Sequence, residues 1–303
     1  MPDAPPPGPP PGPRDPADGW VDLPDGRRFW GRAGAAGLLV QAPDDAVLLQ
    51  HRVGWSHFGD TWGLPGGARH QGESAVDGAL REAHEETRID LAALRPRFAV
   101  RLDLDVWSYT TVAVAAPAAL EVVVNDREST GLRWVPADEV AELPLHPGFA
   151  ASWGRLRREA ALPDPVLVVD AANVVGSRPD GWWRDRAGAA DRLLSRLALL
   201  GRAGLEVDEP ATAPDLPVVR RWPAVQAVLE GRAVDAEDTT GVQVVRVDRD
   251  GDSAVVAQVG EATRAGRRVT AVTADRELSA RVLDAGGRVM RPGALLELLD
   301  ALG

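Results

Sequence analysis

Gly67-Ala68-Arg69-His70-Gln71-Gly72-Glu73, then seven residues, then Arg81-Glu82-Ala83-His84-Glu85-Glu86-Thr87-Arg88-Ile89: this stretch decides how the first half of the chain is read. Glu73 to Thr87 has helical composition and no proline. In a helix, Glu82, Glu85 and Glu86 stand at i, i+3 and i+4 and share one face. Three like charges side by side repel, so such a face calls for water or a cation. Taken alone, a Glu-x-x-Glu-Glu face reads as a solvated acidic surface; Gly67, Glu73 and Arg81 in register with it favour a cation. Carboxylate oxygens are hard ligands suited to Mg²⁺ or Mn²⁺, and Mg²⁺ favours substrates that bring phosphate oxygens. Arg81 can hold one of these carboxylates by a charge-assisted hydrogen bond. Gly66-Gly67 lets the backbone turn sharply just before the helix.

Outward from that stretch, the chain has 303 residues, a size that favours two domains. Hydrophobic residues make up 45% and charged residues 26%, which excludes a mostly disordered chain. There is no cysteine, so disulfides, zinc–thiolate sites and a cysteine nucleophile are excluded. The formal net charge is −11, which argues against a general electrostatic grip on nucleic acid while allowing a local arginine patch. Every basic side chain apart from histidine is arginine, read here as coding bias. The first residues lack the basic and apolar regions of a signal peptide, and no apolar run is long enough to span a bilayer. The expectation is a cytoplasmic protein that does not meet the membrane; a homo-oligomer is left open.

Residues 1–18, mostly Pro, Gly and Asp, read as a disordered tail. A first domain is expected over 19–162, with strands at 36–40, 46–50, 98–104, 107–115 and 132–135. Its helices are expected at 73–87, 138–143 and 148–160, and 62–67 reads as a loop. Pro163-Asp164-Pro165 reads as a linker. From 163 to 303 strands alternate with helices, starting at the continuous apolar run Val166-Leu167-Val168-Val169. That rhythm implies a doubly wound parallel sheet. Residues 204–217 read as a surface loop.

The spacing around Glu73 and Arg81 resembles the Nudix box, G-x5-E-x7-R-E-U-x-E-E-x-G-U, where U is aliphatic. Gly67, Glu73, Arg81, Glu82, Glu85, Glu86 and Ile89 match it, and Ala83 is a small version of the aliphatic position. Arg88 departs from it, standing where the family has a helix-ending glycine. The resemblance implies an α/β/α sandwich with a mixed sheet. It also implies a metal-dependent hydrolase cleaving the pyrophosphate linkage of a nucleotide or nucleoside-diphosphate derivative. Glu85 and Glu86 would be metal ligands, and Glu82 a ligand or the group that activates water. Arg81 would orient a glutamate, and Glu73 would support the loop or join the outer metal shell. Glu128 reads as a surface turn residue or an extra carboxylate, and His51-Arg52 as an exposed strand end or a phosphate contact. His84 reads as boundary packing, and Trp107 and Tyr109 as core residues or a base platform.

In the second half, Asp170, Asp252 and Asp275 follow predicted strands, where a parallel α/β sheet forms its ligand sites. Two readings stand side by side: helix caps, or a second hard-metal site suited to phosphodiester hydrolysis. Residues 169–175 and 273–278 are similar to the first and last acidic motifs of PIN-like (NYN-type) nucleases, which have a Rossmann-like doubly wound sheet. By that resemblance Asp170, Asp252 and Asp275 would ligate Mg²⁺ or Mn²⁺ and Asn173 would position a ligand or substrate. Asp191 is a candidate for a fourth carboxylate, and RNA would be the partner of this half. Trp182-Trp183-Arg184-Asp185-Arg186 reads as a hydrophobic lid or as a base-stacking, phosphate-gripping segment. Three functions follow: a Nudix pyrophosphohydrolase, a PIN-like ribonuclease with the Nudix half as nucleotide sensor, or a non-catalytic nucleotide-binding regulator.

Overall fold

A computed structural model describes residues 15–179, 181–207 and 216–303, and the chain divides into two compact units. The first comprises residues 1–161 and 207–220, the second 162–206 and 221–303. The tail expected at 1–18 lies outside the described residues as far as 14, as does 208–215 of the loop expected at 204–217. Residues 15–18 form a turn on the first unit. Ala17 is buried, its carbonyl accepts the Arg32 N–H at 2.7 Å, and Asp15 accepts the Gln71 N–H at 2.9 Å. Among the described residues no helix is long and apolar enough to cross a membrane.

The first unit opens with a hairpin of β1 (Trp20–Asp22) and β2 (Arg28–Trp30). The sheet is built on β3 (Ala35–Gln41) and β4 (Ala46–Arg52), with β5 (Trp62–Gly63) and β6 (Gly66–Ala68) paired to β4 and β3. The expected 62–67 loop thus carries two short pairings, because β4 and β3 leave edges for it to satisfy. After the helix α1 (Ala75–Thr87) come β7 (Arg95–Asp103), β8 (Ser108–Ala115), β9 (Ser129–Pro136) and the helix α2 (Pro147–Ala160). The sheet is mixed: β3 runs parallel to β8, while β7–β8 and β4–β9 are antiparallel. The helix expected at 138–143 is a single 3₁₀ turn, Val140–Glu142, too short for a regular helix before Pro144.

Alternation along the strands puts a core on each face of this sheet. Leu39, Val47, Leu49, Val100 and Val135 pack with Phe149, Trp153 and Leu156 of α2. On α1 the buried positions are Gly78, Ala79, Ala83 and Thr87, and small side chains let this helix lie close to β3 and β6. The returning segment also belongs here: Val218 is fully buried in the α2-side core, and the Pro217 carbonyl accepts the Arg101 N–H at 3.1 Å.

Ser74 caps the N-terminus of α1, accepting the Asp77 N–H. Arg88 ends the helix in the left-handed region, φ 55° and ψ 18°, with its N–H on the His84 carbonyl. A Cβ there costs about 1–2 kcal/mol, partly offset by the looser unfolded chain of a glycine variant. Arg88→Gly is therefore expected to stabilise the first unit by about 0.5–1 kcal/mol, read as a melting temperature higher by about 2 °C. An unchanged or lower melting temperature would show that the exposed Arg88 side chain contributes more than its backbone costs.

The second unit has a five-stranded sheet with every neighbouring pair parallel. Its elements are β10 (Val166–Asp170), α3 (Ala171–Gly176), α4 (Arg186–Ala203), β11 (Ala224–Glu230), β12 (Val242–Val247), α5 (Gly251–Arg264), β13 (Val269–Val272), α6 (Arg276–Asp284), β14 (Arg288–Met290) and α7 (Pro292–Asp300). The strand order is β12-β11-β10-β13-β14. β10 is central and buried on both faces. Leu167 and Val169 meet α4 and α7 residues, while Val166 and Val168 meet α5 and α6 residues. The short α3 went unread in the sequence, since six residues hold too little periodicity to register.

Candidate active site

Arg81 organises the first site. Its Nε donates to Glu73 Oε1 at 2.8 Å and its Nη2 to Glu73 Oε2 at 3.0 Å, a two-pronged pair. Nη1 donates to Glu82 Oε1 at 2.8 Å and approaches Glu85 Oε2 at 3.4 Å, and Nη2 also reaches the Ala68 carbonyl at 3.0 Å. One guanidinium thus ties the loop before α1 to two carboxylates on the helix. The Arg81 hydrogen bonds hold the Glu73 carboxyl down at about 2. Glu73 also accepts the His70 N–H at 2.9 Å, which fixes the 68–73 loop from both ends.

The three glutamates of the motif stand in different surroundings. Glu82 keeps 18% of its side chain exposed, whereas Glu85 keeps 58% and stands at the open rim. Glu86 accepts the Gly66 N–H at 2.8 Å and a side-chain hydrogen bond from Gln50. Burial raises the Glu86 carboxyl to about 8, with the neighbouring Glu82 charge adding to the rise. Burial also raises Glu82, against the pull of Arg81. Gly67 keeps the place open: a Cβ on it would fall 2.8 Å from the Glu82 carboxyl carbon and Oε2. The donor set, hard carboxylate oxygens whose charges raise one another, has the chemistry a divalent cation takes, although among the described residues no three acidic or histidine side chains are already arranged to hold one.

Two groups at this site were not read from the sequence. Val123 and Asn125 donate their N–H groups to the Thr87 and Glu86 carbonyls at 2.9 and 3.0 Å, and Asn125 Nδ2 donates to the Glu85 carbonyl at 2.8 Å. These bonds satisfy the open carbonyls at the end of α1. They also bring Asp126 close enough for its charge to raise Glu86 further. Glu128, the residue weighed in the sequence, is exposed, and only its carbonyl is engaged, by the Val53 N–H. Gln50 is the other, a buried polar residue whose amide also bonds Ser129. A glutamine inside the apolar run of β4 was its available signal.

The remaining candidates divide. Arg52 ends β4 with a buried Nε that has no hydrogen-bond partner among the described residues. His51 faces Thr130 and the Trp62 ring, 4.9 Å between centroids. His84 braces the helix end, its Nδ1 3.0 Å from the Ile89 carbonyl. Trp107 is core: it stacks on Phe29 at 4.1 Å and its indole N–H bonds the Trp30 carbonyl.

In the second unit, Asp170 ends β10, caps α3 through the Asn173 N–H at 3.1 Å and accepts from Thr273 Oγ1 at 3.2 Å. Asn173 Oδ1 accepts the Ala274 N–H at 2.9 Å, joining the loops after β10 and β13. Asp275 caps α6 through Leu278. Asp252 lies in the first turn of α5 and is not its cap, a role filled by Asp250. Burial raises Asp170, with the Asp252 and Glu230 charges adding to it; burial also raises Asp252, with Asp275 and Glu230 adding. Glu230, at the end of β11, adds its charge to both and accepts the Gly251 N–H at 2.9 Å. Asp191 accepts the Glu237 N–H at 2.8 Å.

A mixed sheet with the box glutamates on α1 and the glycine loop before them defines a Nudix fold. The Nudix domain family model matches residues 31–155. A putative 8-oxo-dGTP diphosphatase 3 of Mycobacterium tuberculosis is 50% identical over 166 residues, 52% of this chain and 76% of that protein. A nucleoside triphosphate pyrophosphatase/Nudix hydrolase fusion protein of Bifidobacterium longum is 42% identical over 148 residues, 46% of this chain and 31% of that one. Among solved structures, the Nudix hydrolase RenU of M. smegmatis is 50% identical, covering 48% of this chain and 95% of that one, with a TM-score of 0.44. The chain belongs to the Nudix hydrolase family. It is an enzyme of the pyrophosphohydrolase class.

Proposed function

We propose that the first unit hydrolyses the pyrophosphate linkage of a nucleoside triphosphate, with an oxidised purine nucleotide such as 8-oxo-dGTP as the first substrate to try. The Mycobacterium tuberculosis relative's name supplies that choice. The observation that carries the reading is geometric: Arg81 ties Glu73, Glu82 and Glu85 together, and Glu86, buried beside Glu82, accepts the Gly66 N–H at 2.8 Å, so its ionised form calls for a positive partner. Glu82, Glu85 and Glu86 would hold Mg²⁺ or Mn²⁺. When bound, that ion polarises a phosphoryl oxygen, acidifies water and offsets transition-state charge. Water adds to phosphorus as the anhydride P–O bond breaks, and its proton passes to Glu82 or Glu85. Arg81 orients Glu82 and Glu85 from one side, and Glu73 supports Arg81. Arg52, at the end of β4, would offer a phosphate the outer nitrogens of its guanidinium.

The second unit supports a further reading, a PIN-like metal-dependent ribonuclease. Asp170 and Glu230 end neighbouring parallel strands, the charges of Asp252 and Glu230 raise Asp170, and those of Asp275 and Glu230 raise Asp252, although among the described residues no three of these side chains stand as a ready-made metal-binding group. Asn173 would position the loop that carries Asp275.

A product-resolved hydrolysis screen separates the two readings. Full-length protein with Mg²⁺ or Mn²⁺ meets 8-oxo-dGTP, dGTP, nucleotide sugars, dinucleotides and short RNA, beside Glu85→Gln and Asp170→Asn. Release of a nucleoside monophosphate and pyrophosphate, lost only in Glu85→Gln, is the expected result. RNA cleavage lost only in Asp170→Asn adds the second activity. Nucleotide turnover that survives Glu85→Gln overturns the first reading.

A further inference from the structure

In the second unit Trp183, Arg184, Arg186 and Arg232 line one pocket of about 210 Å³. Among the described residues none of the three arginines makes an ion pair. Arg186 lies over the Trp182 ring at 5.5 Å, and Trp183 meets Trp182 edge-on while staying 54% exposed. Three guanidinium groups converging without a counter-charge repel one another, so the pocket favours an anion. The chain as a whole carries −11, so this concentration of positive charge is local.

Its place in the fold gives it a direction. The turn Trp182–Arg184 and the start of α4 follow α3, which begins at Asp170 on the carboxyl end of β10. Arg232 comes two residues after Glu230, on the carboxyl end of the neighbouring parallel strand β11. The arginines therefore follow the same strand ends that carry Asp170 and Glu230. Gly181, at φ 88°, makes the turn that presents the two tryptophans.

We infer that this pocket binds single-stranded polynucleotide, with Arg184, Arg186 and Arg232 on successive phosphodiesters and Trp183 stacked on a base. Three positive charges exceed what a single phosphate neutralises, which favours several phosphates, and their spread over two chain segments, Arg184 and Arg186 after α3 and Arg232 after β11, suits phosphates strung along a chain. An exposed indole needs a base already out of its duplex, which favours a single strand. The inference concerns binding alone. It stands apart from the pyrophosphohydrolase reading and holds whether or not the four carboxylates turn over RNA.

The test is fluorescence anisotropy of a fluorescein-labelled single-stranded oligoribonucleotide with full-length protein in EDTA, where metal-dependent cleavage is silent. Saturable binding is expected, weakened at least tenfold by Arg184→Ala with Arg232→Ala. Each lost phosphate contact should also flatten the dependence of log affinity on log salt by about 0.7. Trp183→Ala should weaken binding severalfold with the salt dependence intact, and Trp183→Phe should restore most of it. Equal binding by the arginine variants, equal competition by a duplex of the same sequence, or a nucleoside monophosphate bound as tightly as the oligonucleotide would each overturn the inference. So would the absence of binding by the wild-type chain. Melting curves matching the wild type show that the variants fold.

Discussion

Glu86→Gln should cut pyrophosphohydrolase turnover by on the order of 10³-fold while leaving the cation-free protein at least as stable as the wild type. The two halves of this expectation have one cause. Glu86 sits in an enclosed place where burial lifts its carboxyl from 4.5 to about 8. Keeping it ionised there costs roughly 4–5 kcal/mol unless a cation compensates. Glutamine has the same shape and can still accept the Gly66 N–H through its amide oxygen, so the fold loses at most the Gln50 bond along with the charge that a cation needs. The sign with pH follows. The folded carboxyl is raised above its unfolded value, so between about 4.5 and 8 the folded state holds more protons than the unfolded one. Stability of the cation-free wild type therefore falls as pH rises through that window. In Glu86→Gln this contribution vanishes and the melting temperature in EDTA should vary less from pH 5 to pH 8. Mg²⁺ should raise the wild-type melting temperature, increasingly so towards pH 8 as proton competition fades, and should leave the variant unmoved. A variant that retains substantial turnover and Mg²⁺ stabilisation would remove Glu86 from the ligand set.

What could be read in the sequence was what lies close together along it. Gly67, Glu73, Arg81, Glu82, Glu85 and Glu86 fall within twenty residues, and helix geometry alone places the carboxylates. Arg88 was legible only as a departure from the helix-ending glycine; that the chain keeps the left-handed turn there regardless is a finding of the structure. The parts that escaped arrive from a distance. Asp126 reaches Glu86 only because Val123 and Asn125 bond the last carbonyls of α1, some forty residues earlier in the chain. Nothing in the local composition of 121–128 distinguishes Asp126 from Glu128 before that docking is known. Gln50 is similar: β4 fixes its facing, but its meeting with Glu86 depends on how α1 lies over the sheet. In the second unit the rule that ligand groups gather at carboxyl ends of parallel strands was applied to Asp170, Asp252 and Asp275. Applied equally to β11 it points to Glu230, the residue directly after the apolar run Val225–Leu229. The sequence also left capping and metal binding as competing readings of three aspartates. In the structure Asp170 and Asp275 do cap helices, and Asp250, not Asp252, caps α5; a capping carboxylate keeps lone pairs to spare, so the two readings are not exclusive.

Arg81→Ala should cost about 2–3 kcal/mol of stability and, with it, at least tenfold to a hundredfold in turnover. The cost comes from the charges the arginine leaves behind. Glu73 and Glu82 keep only 14% and 18% of their side chains exposed, and Arg81 is the cation that pairs both. Removing it strands two carboxylates beside a third, and the Ala68 carbonyl loses a donor as well. The cost stays below that of a fully buried pair because water reaches about a fifth of the Arg81 side chain. A charge alone is an incomplete substitute: Arg81→Lys retains attraction but cannot make the two-pronged bond to Glu73 while also reaching Glu82. It should therefore fall between wild type and Arg81→Ala in urea midpoint, and nearer the alanine variant in turnover. The pH dependence separates an electrostatic tie from mere packing. Glu73 is held down at about 2 in the folded state against 4.5 unfolded, so its contribution is present above pH 4.5 and is lost as pH falls towards 2. The difference in urea midpoint between wild type and Arg81→Ala should accordingly be wide at pH 7 and narrow by pH 3. If the difference is the same at both, Arg81 acts through the packing of its stem, and the ordering of Glu82 and Glu85 must come from the Gly66-Gly67 loop instead.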